Sequence, residues 1–265
     1  MLEHFKGDEA FVKKILDCRY QALNHQRMIL TAFLNPHEQN IVYKVIGTQD
    51  LQIHCQGGFK NAENQRLIIC PDFYEVLSED FEIVVVEVLY HQQFGKLQHR
   101  DVLGALMNLG IKRECIGDIY DADRLFFACT QQTYSFIQMH LKQIKKSKIH
   151  LKVINETIEI QHQYMTKTFF LSSFRLDKVV STLYKVPRQL ASESIRAGNV
   201  KVNHKDVEEV SFLCHNDDMN IFSSFTTLKH PDDIISFKRH GRVKLVDENR
   251  QTKQGNHVVT GYFYK

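Results

Sequence analysis

The sequence predicts an α+β protein built in three parts. These are a small α/β N-terminal unit over 1–80, a ferredoxin-like middle domain over 81–156, and a C-terminal helix pair with following strands over 168–265. Three observations lead there. Glu82 to Tyr90 (EIVVVEVLY) is rich in β-branched residues, which suit a pleated strand. It opens a β-α-β-β-α-β order that runs to Ile154, the split βαβ pattern. Further on, Leu176, Val179, Val180 and Leu183 fall at i, i+3, i+4 and i+7, the apolar stripe of an amphipathic helix.

Taken in order, residues 8–33 place Phe11, Ile15, Leu16, Leu23, Ile29, Leu30 and Phe33 roughly at helical spacing. Asn35-Pro36 interrupts that pattern, because the residue before proline is pushed out of the helical region. His37 to Ile46 reads as a second helix, with Gly47 past its end. Gln52–Cys55 and Arg66–Cys70 read as strands on either side of Gly57-Gly58. In the middle domain, His99 to Leu109 is a helix followed by Gly110. Ile116–Tyr120 and Arg124–Thr130 form a hairpin around Asp121-Ala122-Asp123. Gln132 to Ile144 is a second helix and Lys148 to Ile154 a last strand. This topology also hosts RNA-recognition (RRM-like) modules, but the aromatic-rich strand of those modules is missing. Phe126 and Phe127 are neighbours and so point to opposite faces of their strand. A packing role suits both.

In the third part, Phe174 to Tyr184 is the first helix. Pro187 suits the first turn of a second helix that runs to about Ala197, with Gly198 as a left-handed cap. Arg188, Ser192 and Arg196 form a polar stripe on it. Asn199 to Asn203 (NVKVN) alternates as a strand. Ile234–Phe237, Arg242–Leu245 and Val258–Tyr264 supply further strands.

The net charge of +3 from 34 basic and 31 acidic residues excludes a polycation. Its distribution is uneven. Residues 1–80 carry 8 bases and 11 acids, whereas 170–203 carry 6 bases and 2 acids, and 138–152 carry 5 lysines and no acid. Two local basic stretches are the footprint of a polyanion partner. Six cysteines have no C-x-x-C pairing, and the first residues have no apolar signal core. Reduced thiols and a cytoplasmic location are therefore expected. No apolar run is long enough to cross a membrane.

Arg175-Leu176-Asp177, Arg188, Ile195, Gly198, Val200, Val202 and Asn203 match, at the right spacing, the αL RNA-binding motif. That module is named after a small-subunit ribosomal protein (the S-four domain), and the segment resembles it over about thirty residues. Pro187 stands where the motif usually has Ser, and a later Gly-rich segment appears as Asp232-Asp233-Ile234-Ile235-Ser236-Phe237-Lys238-Arg239-His240-Gly241-Arg242. His99 to Glu114, Gly117-Asp118-Ile119, Phe33 to Gln39, Gly57-Gly58 and Pro71-Asp72 are similar to the bacterial YlmH family, and with the αL motif the resemblance covers nearly the whole chain. It implies an RNA-binding protein associated with ribosomes, in quality control of large subunits carrying stalled peptidyl-tRNA. The implied partners are structured RNA (rRNA, with tRNA as a second candidate) and the large ribosomal subunit.

Arg175, Lys178, Arg188, Arg196 and Lys201 are the candidate RNA contacts, with Arg239 and Arg242 at the periphery. Guanidinium forks bind phosphates bidentately and lysines add point charge. Asp177 is expected to orient Arg175 by a salt link or cap. No catalytic residue, metal site or cofactor is expected. His99-Arg100-Asp101 spells a kinase tripeptide, but the Gly-rich loop and Asp-Phe-Gly of a kinase are absent. The histidines and cysteines, His162 and His215 among them, lack zinc-site spacing. The rival readings are an RNA-modifying enzyme of pseudouridine synthase or rRNA methyltransferase type, and a protein-interaction adaptor.

Overall fold

The computed structural model describes residues 5, 7–47, 50–91, 93, 95–161, 163–214, 233–238 and 241–264. The chain divides into two compact units, Met1–Gln161 and His162–Lys265. The mixed helix and sheet content agrees with the α+β expectation.

The first unit opens with α1 (Glu9–Asn24), β1 (Ile29–Leu34), α2 (Pro36–Ile46), β2 (Leu51–Gln56) and β3 (Gln65–Pro71). Asn35 caps α2: its side chain accepts from the Glu38 N–H, and the Glu38 carboxylate accepts from the Asn35 N–H at 2.9 Å. The single helical pattern expected over 8–33 is corrected here. The helix ends at Asn24, and Ile29–Leu34 is a strand paired antiparallel with β3. Leu23, Ile29, Leu30 and Phe33 fit either period, and pairing with buried β3 decides in favour of the strand.

The unit continues with β4 (Ile83–Tyr90), α3 (His99–Asn108), β5 (Ile116–Asp121), β6 (Leu125–Thr130), α4 (Gln131–His140), β7 (Gln143–Ile144) and β8 (Ser147–Ile154). The strand order is β5-β6-β4-β8-β7. Val102 and Leu106 of α3 and Ile137 of α4 pack with Val86, Phe127 and Ile149, so both helices cover one face of the sheet. The helix expected to reach Ile144 stops at His140. Lys145 adopts φ 52 and turns β7 back into β8. Leu141 and Ile144 are buried all the same, which is why they extended the helical spacing in the sequence.

The other face of this sheet is covered over β6 and the start of β4, while Leu89 and, on β8, His150 and Lys152 stay exposed on it. Phe126, Ala128 and Val85 pack with Phe33 of β1 and with Phe59, Ala62 and Ile160. Phe127 is fully buried on the helix side and Phe126 is 4% exposed on the opposite side. The stretches expected as separate regions, on either side of residue 80, therefore share a core. Gly117 makes this approach possible. A Cβ there would lie 2.7 Å from a Phe33 ring carbon, closer than real contacts allow. The Asp118 carboxylate adds a polar tie, accepting from the Glu63 N–H at 2.6 Å and the Asn64 N–H at 3.2 Å.

The second unit contains β9 (Tyr164–Leu171), α5 (Leu176–Tyr184), α6 (Arg188–Arg196), β10 (Val200–Val202), β11 (Lys205–Asp206), β12 (Asp233–Phe237), β13 (Gly241–Gln251) and β14 (His257–Tyr264). They form one antiparallel sheet in the order β11-β10-β12-β13-β14-β9. The α5 stripe and Ala191 and Ile195 of α6 pack on Val200, Val202, Ile235, Val243 and Val259. β9 was not legible in the sequence, and it begins ahead of the expected boundary at 168. It is an edge strand exposed at most positions, so it carries no alternating burial signal. Asn203 and His204, with φ 50 and 69, make the two-residue turn between β10 and β11. Such a turn needs left-handed backbone at both positions, which asparagine tolerates.

Gly117→Ala is expected to lower unfolding free energy by about 2 kcal/mol through overpacking against Phe33. Gly104→Ala on α3, where a Cβ meets nothing within 4 Å, should raise it by roughly 0.5–1 kcal/mol. Urea midpoints at constant slope measure both.

Candidate nucleic-acid interface

The site is built on the α5–α6 pair. Lys185, at φ 54, ends α5 in the left-handed region, and Pro187 is the cap residue before α6. The expectation that Pro187 lies inside the first turn is thus shifted by one residue. Its φ of −55 and extended ψ aim the chain into the helix, and Arg188 takes the first helical position. The Ser181 hydroxyl donates to the Val186 carbonyl at 2.7 Å and secures the turn.

Asp177 lies in the first turn of α5 with only 3% of its side chain exposed. Its Oδ1 accepts from Arg175 Nε at 3.2 Å and from the Lys178 N–H at 3.0 Å. Its Oδ2 accepts from Arg188 Nε at 2.7 Å and Nη2 at 2.6 Å. One carboxylate therefore holds two guanidiniums brought from the start of α5 and the start of α6. Burial opposes ionisation of Asp177. The hydrogen bonds and positive charge of Arg175 and Arg188 outweigh it and hold the carboxyl below the usual range.

The two arginines keep 40% and 53% of their side chains exposed. Their inner nitrogens are committed to Asp177, and their outer edges face solvent in a set orientation. That suits phosphate recognition, which needs a planar donor fork at a defined angle. Lys178 is half-buried and donates to the Ser172 hydroxyl at 3.1 Å. Arg196 is exposed in the last turn of α6, two turns along from Arg188. Lys185, exposed in the turn, adds a further cation; its place just before Val186-Pro187 is the signal for it in the sequence.

The remaining candidates lie elsewhere. Val200 and Val202 point into the core against the helices, so Lys201 between them points to the opposite face of the sheet. Lys201↔Ser236 and Ser236↔Arg242 are register partners, which places Arg242 on that same far face. Lys201 pairs with Asp206 at 3.1 Å, and the Arg242 guanidinium sits 3.9 Å from the centre of the Tyr264 ring. The sequence candidates therefore fall on two faces: Arg175, Lys178, Arg188 and Arg196 on the helix side, Lys201 and Arg242 on the other. Arg239 lies outside the described residues, as do His162 and His215. Among the described residues no group of three His, Cys, Asp or Glu side chains is placed to hold a metal ion. No helix among them is long and apolar enough to cross a membrane.

The helix pair and the strands after it belong to the S4 class of RNA-binding domain. A family model described as "S4 domain" matches residues 174–220. Two others, described as "YlmH, N-terminal" and "Putative RNA-binding domain in YlmH", match residues 7–74 and 77–158. The chain is 30% identical to the "Ribosome-associated protein quality control protein P2" of Bacillus subtilis (strain 168), over 97% of this chain and 96% of that protein. This chain belongs to the YlmH family. A solved structure titled "Cell division protein ylmH from Streptococcus pneumoniae" is 30% identical, covers 56% of this chain and 90% of its own, and has a TM-score of 0.49.

Asp177→Asn is expected to cost about 1–3 kcal/mol, less than for a fully buried pair because both arginines can rehydrate. The folded pKa of Asp177 lies below its unfolded value, so its contribution is present above about pH 4 and fades as pH falls through the lowered folded value. Unfolding free energies measured across that acid range should show a pH-dependent component that Asp177→Asn removes.

Proposed function

We propose that this protein is a non-catalytic, cytoplasmic RNA-binding factor. It docks through the α5–α6 face on structured RNA of the large ribosomal subunit, rRNA first and tRNA second, in quality control of stalled peptidyl-tRNA. The observation that carries the reading is the buried Asp177 carboxylate presenting Arg175 and Arg188 together. Catalytic aspartates need access to a substrate; this one is enclosed by two guanidiniums and its own helix. The family relationship and the name of the Bacillus relative support a ribosomal setting. Arg175, Lys178, Arg188 and Arg196 form the main contact surface in this proposal. Lys201 and Arg242 contribute on the other face of the sheet, and Arg239 is kept as a peripheral contact. The proposed division of labour follows 1–80, 81–156 and 168–265, with RNA docking assigned to the last.

Co-sedimentation of the full chain with purified large subunits tests this. The wild type should travel with the subunit at low salt and leave it steeply as salt rises. Arg175→Ala/Arg188→Ala should bind at least tenfold more weakly, and the slope of log K against log salt should fall by about 1.8, two helical phosphate contacts. Arg188→Lys keeps the charge, loses the fork, and should fall between. Wild type remaining at the top of the gradient, or a correctly folded double variant sedimenting as wild type does, overturns the proposal. A modification lost from rRNA in a deletion strain would favour the modifying-enzyme reading instead.

A further inference from the structure

The antiparallel sheet of the C-terminal unit has two faces of different chemistry. Ile235, Val243, Leu245 and Val259 pack with α5 and α6 and are fully buried. Alternation sends their chain neighbours to the opposite face. Register partners there run Lys201↔Ser236↔Arg242 across three strands, and Tyr264↔Tyr164 across the next two. The Arg242 guanidinium, 3.9 Å from the centre of the Tyr264 ring, joins these into one row. The row beside it is Ile234↔Lys244↔Tyr262↔Thr166. No residue of either row is buried.

Three tyrosines meet at one end of these rows. The Tyr164 ring lies 5.0 Å from that of Tyr264 and 6.1 Å from that of Tyr262, edge to face in both cases. Tyr164 is 40% exposed. On β13, Arg242 and Lys244 stand beside Tyr264 and Tyr262, and Lys201 lies further along the first row. The carboxylates that the described strands place on this face are Asp206 and Glu248. Asp206 pairs with Lys201 at 3.1 Å, and Glu248 is engaged by Arg250 and the Thr260 hydroxyl. Neither the rings nor the cations name a ligand alone, because cross-strand tyrosines also stabilise sheets. Together they fit an unpaired nucleic-acid strand, whose bases offer π-faces with phosphates recurring between them. A paired RNA helix keeps its base faces within its own stack and presents its backbone instead.

We propose that this face of the C-terminal sheet takes unpaired RNA. Bases stack on Tyr164, Tyr262 and Tyr264, and the adjoining phosphates meet Arg242 and Lys244, with Lys201 beyond them. The inference rests on the RNA-binding reading of the chain. It goes further by assigning a second form of RNA, held by stacking, to the face turned away from Arg188. A second copy of this chain, sheet against sheet, and an acidic protein segment are the rival occupants.

Fluorescence anisotropy of the full chain with labelled oligo(U) and oligo(A), each about twelve nucleotides long, tests this. The wild type is expected to bind at low salt. Tyr164→Thr/Tyr262→Thr should bind at least tenfold more weakly with an unchanged salt slope, because stacking releases no counterions. Threonine suits an exposed strand. Tyr164→Phe/Tyr262→Phe keeps both rings and should bind as the wild type does. Arg242→Gln/Lys244→Gln should lower the salt slope by about 1.4, two single-strand phosphate contacts. Arg175→Ala/Arg188→Ala should keep oligonucleotide binding while losing subunit co-sedimentation. The proposal is overturned if neither oligonucleotide binds, or if a Thr variant with wild-type circular dichroism binds as the wild type does. If the Thr variant does not fold, the Arg242/Lys244 variant decides, and an unchanged salt slope overturns the proposal. Equal binding of a glutamate-rich peptide overturns it in favour of a general anion site. A wild-type dimer in sedimentation velocity that the Thr variant loses, with oligonucleotide binding unchanged, overturns it in favour of a second copy. Loss of oligonucleotide binding in the Arg175/Arg188 variant alone would reject this face and leave the α5–α6 docking surface standing.

Discussion

A carboxylate with 3% exposure, bonded to guanidiniums from the starts of two helices, sets the arrangement of the α5–α6 surface proposed to meet RNA. Burying a lone carboxylate would cost several kcal/mol. Asp177 escapes most of that cost because four donors surround it and because its arginine partners remain half in water. The same contacts reduce the rotamer freedom of Arg175 and Arg188 before any ligand arrives. Long side chains ordered in advance lose less entropy on binding, so a surface of modest charge can still be selective. The local geometry depends on it: the left-handed Lys185 and the capping Pro187 bring Arg188 back to a carboxylate eleven residues earlier.

In the first unit the governing constraint is shared burial. The β-α-β-β-α-β sheet has helices on one face and the Phe33–Phe59 layer on the other. Gly117 is required because any side chain there would strike Phe33. The fold thus retains a topology used for RNA recognition while part of the face that commonly performs it is filled by the chain's own residues. Fold alone does not assign the binding surface.

Much of this architecture was legible in the residue pattern, and the exceptions share a cause. The strands at 83–90 and 125–130 and the α5 stripe were strongly periodic and fall where expected. Ile29–Leu34 and Gln143–Ile144 were absorbed into neighbouring helices because their apolar residues satisfy both helical and strand spacing. β9 escaped notice because an exposed edge strand has no buried face to impose alternation. The candidate cations were identifiable as a set from charge and motif, but not their distribution over two faces. That depends on Val200 and Val202 packing beneath the helices, which turns Lys201, and Arg242 two strands away through Ser236, to the face opposite Arg188.

By itself the sequence determined the class of fold, the RNA-binding character of the C-terminal helix pair, and the local link between Asp177 and Arg175. All of these rest on periodicity within single elements and on a motif of about thirty residues, whose spacing encodes their geometry. Only the tertiary structure decided that Asp177 also holds Arg188, and that the Phe33–Phe59 layer covers part of the middle sheet's second face. These are contacts between distant segments. They depend on which buried surfaces meet, and short-range periodicity carries no record of that.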